Sequence, residues 1–138
     1  NKILKKINQL GGGILLIDYG YLNPKNKSTI QSVLKHKKNN LFDNLGKADI
    51  THLVNFSLLR EYFTKNNLEV KKIVSQKFFL EKMGINERAN IISRKMRLIE
   101  KSKLYLRIKR LLDVNLMGNL FKVIFAYKFK KDNFLGFE

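Results

Sequence analysis

Three consecutive glycines, Gly11, Gly12 and Gly13, separate a helix-like segment from the unbroken apolar run Ile14-Leu15-Leu16-Ile17. Ahead of them Ile3, Leu4, Ile7 and Leu10 recur at helical spacing, so residues 1–10 read as the tail of a helix stopped by a glycine-rich turn. Four apolar residues without alternation predict a strand buried on both faces, as in a parallel sheet, ending in Asp18-Tyr19-Gly20-Tyr21. Helix, turn and strand together make the closing half of a βαβ unit whose opening strand the sequence does not contain. The absence of an initiating methionine at Asn1 agrees with a truncated start.

Residues 22–27 form a loop holding the only proline, Pro24, and Ser28-Thr29 offers a helix or turn start before Ile30, Val33 and Leu34. Residues 39–47 read as irregular and exposed, and residues 49–56 as strand or loop. Ser57 is placed as the N-cap of a helix carrying Leu58, Leu59, Tyr62 and Phe63 on one face. Residues 68–75 suit a strand. A short helix at 78–83 ends at Gly84, and Asn86 caps a further helix through Ile91, Ile92, Met96 and Ile99, reaching Leu112 after a break near Ser102. From Leu120 to Phe129 the residues Phe121, Val123, Phe125, Tyr127 and Phe129 alternate with Lys122, Lys128 and their neighbours, which predicts a half-exposed strand pairing antiparallel at a sheet edge or next to it.

Composition narrows the function classes. With no cysteine, disulfide frameworks, thiolate metal sites and cysteine nucleophiles are excluded, and an intracellular setting is expected. His36 and His52 have no partners at metal-ligand spacing, so no metal site is expected. No apolar run reaches the length of a membrane span, and the N-terminus does not read as a signal or transit peptide. The net charge of +17 points first to nucleic acid or another anionic surface. Against that, the 28 basic residues are mostly lysine, and they scatter along the chain in nothing longer than pairs such as Lys37-Lys38 and Lys130-Lys131. A solvated, lysine-biased surface is the simpler reading, because bidentate phosphate recognition favours arginine.

Four separated stretches, in order, resemble the MidA family of S-adenosyl-L-methionine (SAM)-dependent methyltransferases, which includes a mitochondrial arginine methyltransferase acting in complex I assembly. They are Gly13-Ile14-Leu15-Leu16-Ile17-Asp18-Tyr19-Gly20-Tyr21; Thr29-Ile30-Gln31-Ser32 followed by His36; Gly46-Lys47-Ala48-Asp49-Ile50-Thr51 leading into Val54-Asn55-Phe56; and Gln76, Phe79-Leu80, Met83-Gly84-Ile85 and Arg88, with a closing Met117-Gly118-Asn119-Leu120-Phe121-Lys122-Val123. Two positions depart from the family pattern: Asn55 stands where an aspartate is usual, and His52-Leu53 replaces a more usual alanine followed by histidine or aspartate.

The resemblance implies an α/β fold, the C-terminal portion of a class I (Rossmann-like) methyltransferase sheet. Residues 14–17, 68–75 and 120–129 would be strands five to seven with flanking helices, the final strand antiparallel. It implies SAM as cofactor of the intact family protein. Residues 1–138 lack an acidic-Gly-x-Gly-x-Gly loop after a strand, so the SAM-binding half is expected outside them and no residue here is assigned to the cofactor. Ligands of open α/β sheets lie beyond the carboxyl ends of the strands, which makes Asp18 and Tyr19 the catalytic candidates. Gly20, His36, Asp49, Thr51 and Arg88 are the substrate-side candidates. All but Gly20 have a plainer role: Asp18 capping a turn, Tyr19 packing, Asp49 and Thr51 anchoring a loop, His36 solvated on a helix, Arg88 paired with Glu87 or Glu81. The family implies a protein substrate, with a respiratory complex I subunit among the candidates, and a cytoplasmic location in a bacterium or the mitochondrial matrix in a eukaryote. The missing half, or a second copy pairing at an exposed sheet edge, is the expected partner. The alternatives are a basic module binding nucleic acid or an acidic protein, and a non-catalytic methyltransferase remnant.

Overall fold

The computed structural model describes residues 2–23, 26–129 and 134–138; Asn1, Pro24 and the Lys130-Lys131 pair lie outside them. The first helix, α1 (Lys2–Leu10), buries Leu4 and Ile7, one turn apart, while Ile3 and Leu10 remain exposed. Gly11 follows with φ +75°, the left-handed conformation that ends a helix at little steric cost. The chain then enters β1 (Gly12–Tyr21), which continues through Asp18 and Tyr19 and so carries both within a strand instead of in the turn after it.

β1 runs antiparallel to the last strand, β8 (Phe121–Lys128), in a register that sets Gly12 opposite Lys128 and Tyr19 opposite Phe121. Its other side pairs in parallel with β5 (Val54–Asn55), at Gly20 and Tyr21. Two short strands, β6 (Glu69–Val70) and β7 (Val74–Ser75), both pair antiparallel with β8. The sheet order β5-β1-β8-β6 therefore makes a mixed sheet with β8 one strand in from the edge. Residues 68–75 form these two fragments and not one continuous strand.

Two burial expectations change places. β1 was expected to be covered on both faces, but Leu15 and Ile17 are about half exposed, at 46% and 45%. β8 was expected to be half exposed, but Val123, Ile124, Ala126 and Tyr127 are buried. The cause is the layering. One face of the sheet, through Ile14, Leu16, Ile124 and Ala126, packs on Leu4 and Ile7 of α1 and on Phe56 and Phe63 of α2 (Phe56–Lys65). On the other face the rings of Phe125 and Tyr127 are met by Phe134, at 4.9 and 4.7 Å between centroids, while Leu15, Ile17 and Tyr19 of β1 stay open.

A second sheet was not foreseen. β2 (Gln31–Leu34) pairs antiparallel with β3 (Lys37–Asn39) on one side and with β4 (Asp49–Thr51) on the other, where a helix or turn start was expected. The β2–β3 turn is made by Lys35 and His36, both at positive φ, a conformation that tight hairpins demand but that Asn and Gly usually supply. Asn39 holds the following loop in place: its amide donates to the buried Ser32 hydroxyl at 3.1 Å and to the carbonyls of Asn40 and Asp43.

The helix α2 begins one residue before Ser57, and its N-cap is Asn55, whose side-chain oxygen accepts the Leu58 N–H at 3.1 Å. Ser57 instead donates its hydroxyl to the Leu22 carbonyl, fixing the helix to the loop after β1. Phe56 and Phe63 are the buried residues of α2, whereas Leu58 is 60% exposed. Since Asn and Asp cap equally well, Asn55→Asp is expected to leave stability nearly unchanged while Asn55→Ala lowers it by about 1 kcal/mol, measured by chemical denaturation.

α3 (Gln76–Lys82) is capped by Ser75, and α4 (Ile85–Ser93) starts from Gly84, not Asn86. The break in the long helical region falls at residues 94–97, not near Ser102. Glu100 accepts the Arg97 backbone N–H at 3.0 Å and its guanidinium at 3.1 Å, which starts α5 (Leu98–Leu112) afresh. The Arg97 guanidinium, then the backbone bond, hold the Glu100 carboxyl below its usual range. A one-turn α6 (Met117–Leu120) leads directly into β8.

Candidate functional site

The carboxyl end of β1 opens into a groove of about 830 Å³ between the two sheets. Its walls come from Tyr19 on β1, from Gln31 and Val33 on β2, from Asp49 and Thr51 on β4, and from the connecting segments 27–30 and 52–53. Asp49 and Thr51 are two apart on one strand, so both side chains leave the same face, which is the face toward the groove. Gln31 lies opposite Thr51 in the register and donates its amide to the Thr51 hydroxyl at 3.1 Å. Thr29 accepts the Leu53 N–H at 3.2 Å and so clips the two connecting segments together. The Tyr19 ring leans on Phe121, with centroids 4.3 Å apart. A second opening of about 510 Å³ lies along the same connecting segments, toward Asn55, Leu58 and Leu59.

Of the seven site candidates, three come together here: Tyr19, Asp49 and Thr51. The other four do not line the groove. Asp18 accepts the N–H of Tyr19 at 2.7 Å, a local bond of the kind a structural aspartate makes. Its cross-strand neighbour Lys122 donates to the Asn119 carbonyl, and partial burial lowers its ammonium pKa from the usual value. Gly20 sits where a methyl group would stand 2.3 Å from the Phe56 ring and 2.6 Å from the Val54 carbonyl, so the chain approaches itself there too closely for a side chain. His36 occupies the exposed β2–β3 turn, not a helix face. Arg88 is exposed on α4, and the pairing with Glu87 or Glu81 is not made: the ion pairs among the described residues are Lys65 with Glu61 and Arg97 with Glu100. Among the described residues no three metal-binding side chains gather, and no helix is long and apolar enough to cross a membrane.

Sequence reasoning missed Lys27, Thr29, Gln31, Lys38 and His52, all of which line the groove. His52 departs from the family pattern, yet it faces both openings, with its Nδ1 3.1 Å from the Leu53 carbonyl. Thr29 and Gln31 stood within a stretch already resembling the family, and the alternation of Thr29 and Gln31 with Ile30 was the available signal.

Residues 1–74 match the model of a family described as "Putative S-adenosyl-L-methionine-dependent methyltransferase". The chain belongs to this MidA-like family. Over 122 residues it is 29% identical to the mitochondrial protein arginine methyltransferase NDUFAF7 of Xenopus tropicalis, covering 88% of this chain and 28% of that protein. Over 88 residues it is 32% identical to the Caenorhabditis elegans homologue of the same name, covering 64% of this chain and 20% of that protein. Two solved structures from Burkholderia thailandensis share the fold. An uncharacterised protein superposes with a TM-score of 0.78 at 23% identity, over 98% of this chain and 38% of its own. A second, bound to S-adenosyl-homocysteine, superposes with 0.76 at 24% identity, over 91% and 34%. The chain thus spans a fifth to little more than a third of the relatives it matches.

A cofactor cradle needs glycines whose missing side chains leave room for a ligand; at Gly13 and Gly20 that room is taken, whereas Gly12 and Gly46 face open space. A Cβ on Gly13 would lie 2.7 Å from the Phe125 ring, and one on Gly20 would strike Phe56. The glycine cluster opens β1, whereas phosphate- and nucleotide-type loops follow a strand.

Proposed function

We propose that this chain forms the substrate-side part of a SAM-dependent protein methyltransferase and that its groove receives an arginine side chain of the protein substrate. Asp49 carries the reading: it is the carboxylate lining the groove at the carboxyl end of β1, where open α/β sheets place their ligands. In this role Asp49 accepts guanidinium N–H bonds, Thr51 adds a hydroxyl acceptor, and the exposed Tyr19 ring supplies a face for the planar cation. Lys27 and Lys38 line the same groove and oppose a cation, so binding rests on Asp49. SAM would supply the methyl group, held by the part of the fold that the longer relatives contain.

Two observations support the partition. Between Gly12 and Tyr19 the edge of β1 away from β8 pairs with no other described strand, as expected if the sheet continues there. The order of β1, β8 and the β6–β7 pair also agrees with strands five, seven and six of a class I sheet. Calorimetric titration tests both parts of the reading. The chain is expected to bind an arginine peptide better than its citrulline counterpart, Asp49→Asn is expected to weaken arginine binding by roughly ten- to a hundredfold, and SAM is expected not to bind in the micromolar range. Equal binding of the two peptides overturns the guanidinium site. Micromolar SAM binding by these 138 residues overturns the placement of the cofactor.

A further inference from the structure

The chain spreads its lysines along its length but gathers all of its arginines except Arg60 in one region. Five of the six arginines, Arg88, Arg94, Arg97, Arg107 and Arg110, fall on α4, α5 and the turn between them. With Lys95, Lys101, Lys103 and Lys109 they make nine cations against two carboxylates, Glu87 and Glu100, the second already engaged by Arg97. Eight of these nine cations are exposed, Lys101 being half-buried.

The α5 helix also exposes large aliphatic side chains. Leu98 is 81% exposed, Ile99 71% and Leu106 66%, and α5 contains no buried residue. At 3.6 residues per turn Ile99 and Leu106, seven apart, align in one row along the outer face of α5. Lys103 and Arg110 form the adjoining row on one side, and Ser102 and Lys109 the row on the other. An aliphatic ridge is thus flanked by cations on both sides.

That combination selects among anionic partners. A nucleic acid would use the cations and aromatic platforms, but would leave Leu98, Ile99 and Leu106 against water or phosphate. An anionic lipid surface uses both: the aliphatic ridge enters the boundary between headgroups and acyl chains while the guanidinium and ammonium groups meet lipid phosphates. Arginine is the better residue for phosphate because its planar fork donates in pairs. We infer that the α4–α5 face docks the protein on an anionic phospholipid surface, lying in the interface without spanning it.

Vesicle co-sedimentation of the whole chain tests this. Binding is expected to vesicles of phosphatidylcholine mixed with phosphatidylglycerol, and not to phosphatidylcholine alone. Reversing two cations with Lys103→Glu and Arg110→Glu is expected to weaken it by about tenfold or more, and so is Ile99→Ser with Leu106→Ser at unchanged charge. Since the chain lacks tryptophan, Leu106→Trp gives a reporter that needs no loss of stability: its emission should shift to the blue on mixed vesicles only. No sedimentation with mixed vesicles at low salt, or an unshifted emission from the Leu106→Trp variant, overturns the inference. Binding insensitive to the serine pair also overturns it, and if the chain then retains a generic oligonucleotide the face is a polyanion site. Retention of an acidic amphipathic peptide in place of mixed vesicles would assign the face to a protein partner.

Discussion

Phe56→Ala is expected to lower the stability of the fold by about 3–5 kcal/mol, enough to leave a marginal domain largely unfolded at physiological temperature. Phe56 is fully buried at the first turn of α2, and its cluster joins Leu4 and Ile7 of α1 to Ile124 and Ala126 of β8. Removing the ring leaves a cavity where three elements meet, and the strands on either side cannot collapse into it without losing register. Denaturant titration followed by far-ultraviolet circular dichroism reads the change as a lower midpoint at unchanged slope. Gly20 provides the internal check. A Cβ at Gly20 would lie within 2.3 Å of this ring, so Gly20→Ala alone is expected to cost about 1–3 kcal/mol by overpacking. In the Phe56→Ala background the ring is gone and its share of that cost should vanish, leaving the share from the Val54 carbonyl at 2.6 Å. Strict additivity in the double-mutant cycle would contradict the packing described.

Gly118→Ala has the second largest expected effect, about 3 kcal/mol, the upper end for overpacking. The added methyl would meet backbone, 2.3 Å from the Leu112 carbonyl oxygen and 2.8 Å from that of Asp113, and neither can swing aside like a side chain. Gly118 also donates its N–H to the Asp113 carbonyl at 2.9 Å, which fixes the approach. Because α6 hands the chain directly to β8, a shift here displaces the start of the central pairing. The exposed neighbour Asn119→Ala should change stability by less than about 0.5 kcal/mol, and a comparable loss at both positions would contradict this account.

The α/β class, the first helix, the glycine stop and the antiparallel last strand were legible because each rests on local pattern. Burial was not, since it depends on layers. The apolar run 14–17 looks the same whether its second face is covered or open. The β2–β3 hairpin was hidden for another reason: Lys35 and His36 adopt positive φ without the residues that normally announce it, and the tie that secures the loop, Asn39 to Ser32, is made across strands. The motifs include Tyr19, Asp49 and Thr51, which line the groove, together with residues whose structural roles are plain. Asn55, Phe56, Gln76 and Gly118 serve as cap, core, tether and close contact respectively; the Gln76 amide donates to the Leu111 carbonyl at 3.0 Å. A shared motif registers both kinds of constraint alike. His52 was passed over because it departs from the motif, although its position beside Thr51 on the groove wall follows from the same strand end.

The pairing of Gly12 with Lys128 also dictates a timetable. A ribosome delivers β1 well before β8, and at the usual elongation rates of about 5–20 residues per second β1 waits for roughly 5 to 20 s before this partner exists. Throughout that interval Ile14 and Leu16 lack Ala126 and Ile124, which lie opposite them and complete their face of the sheet. Closure of this core therefore waits on the arrival of one late strand, which contributes Ile124 and Ala126 to it.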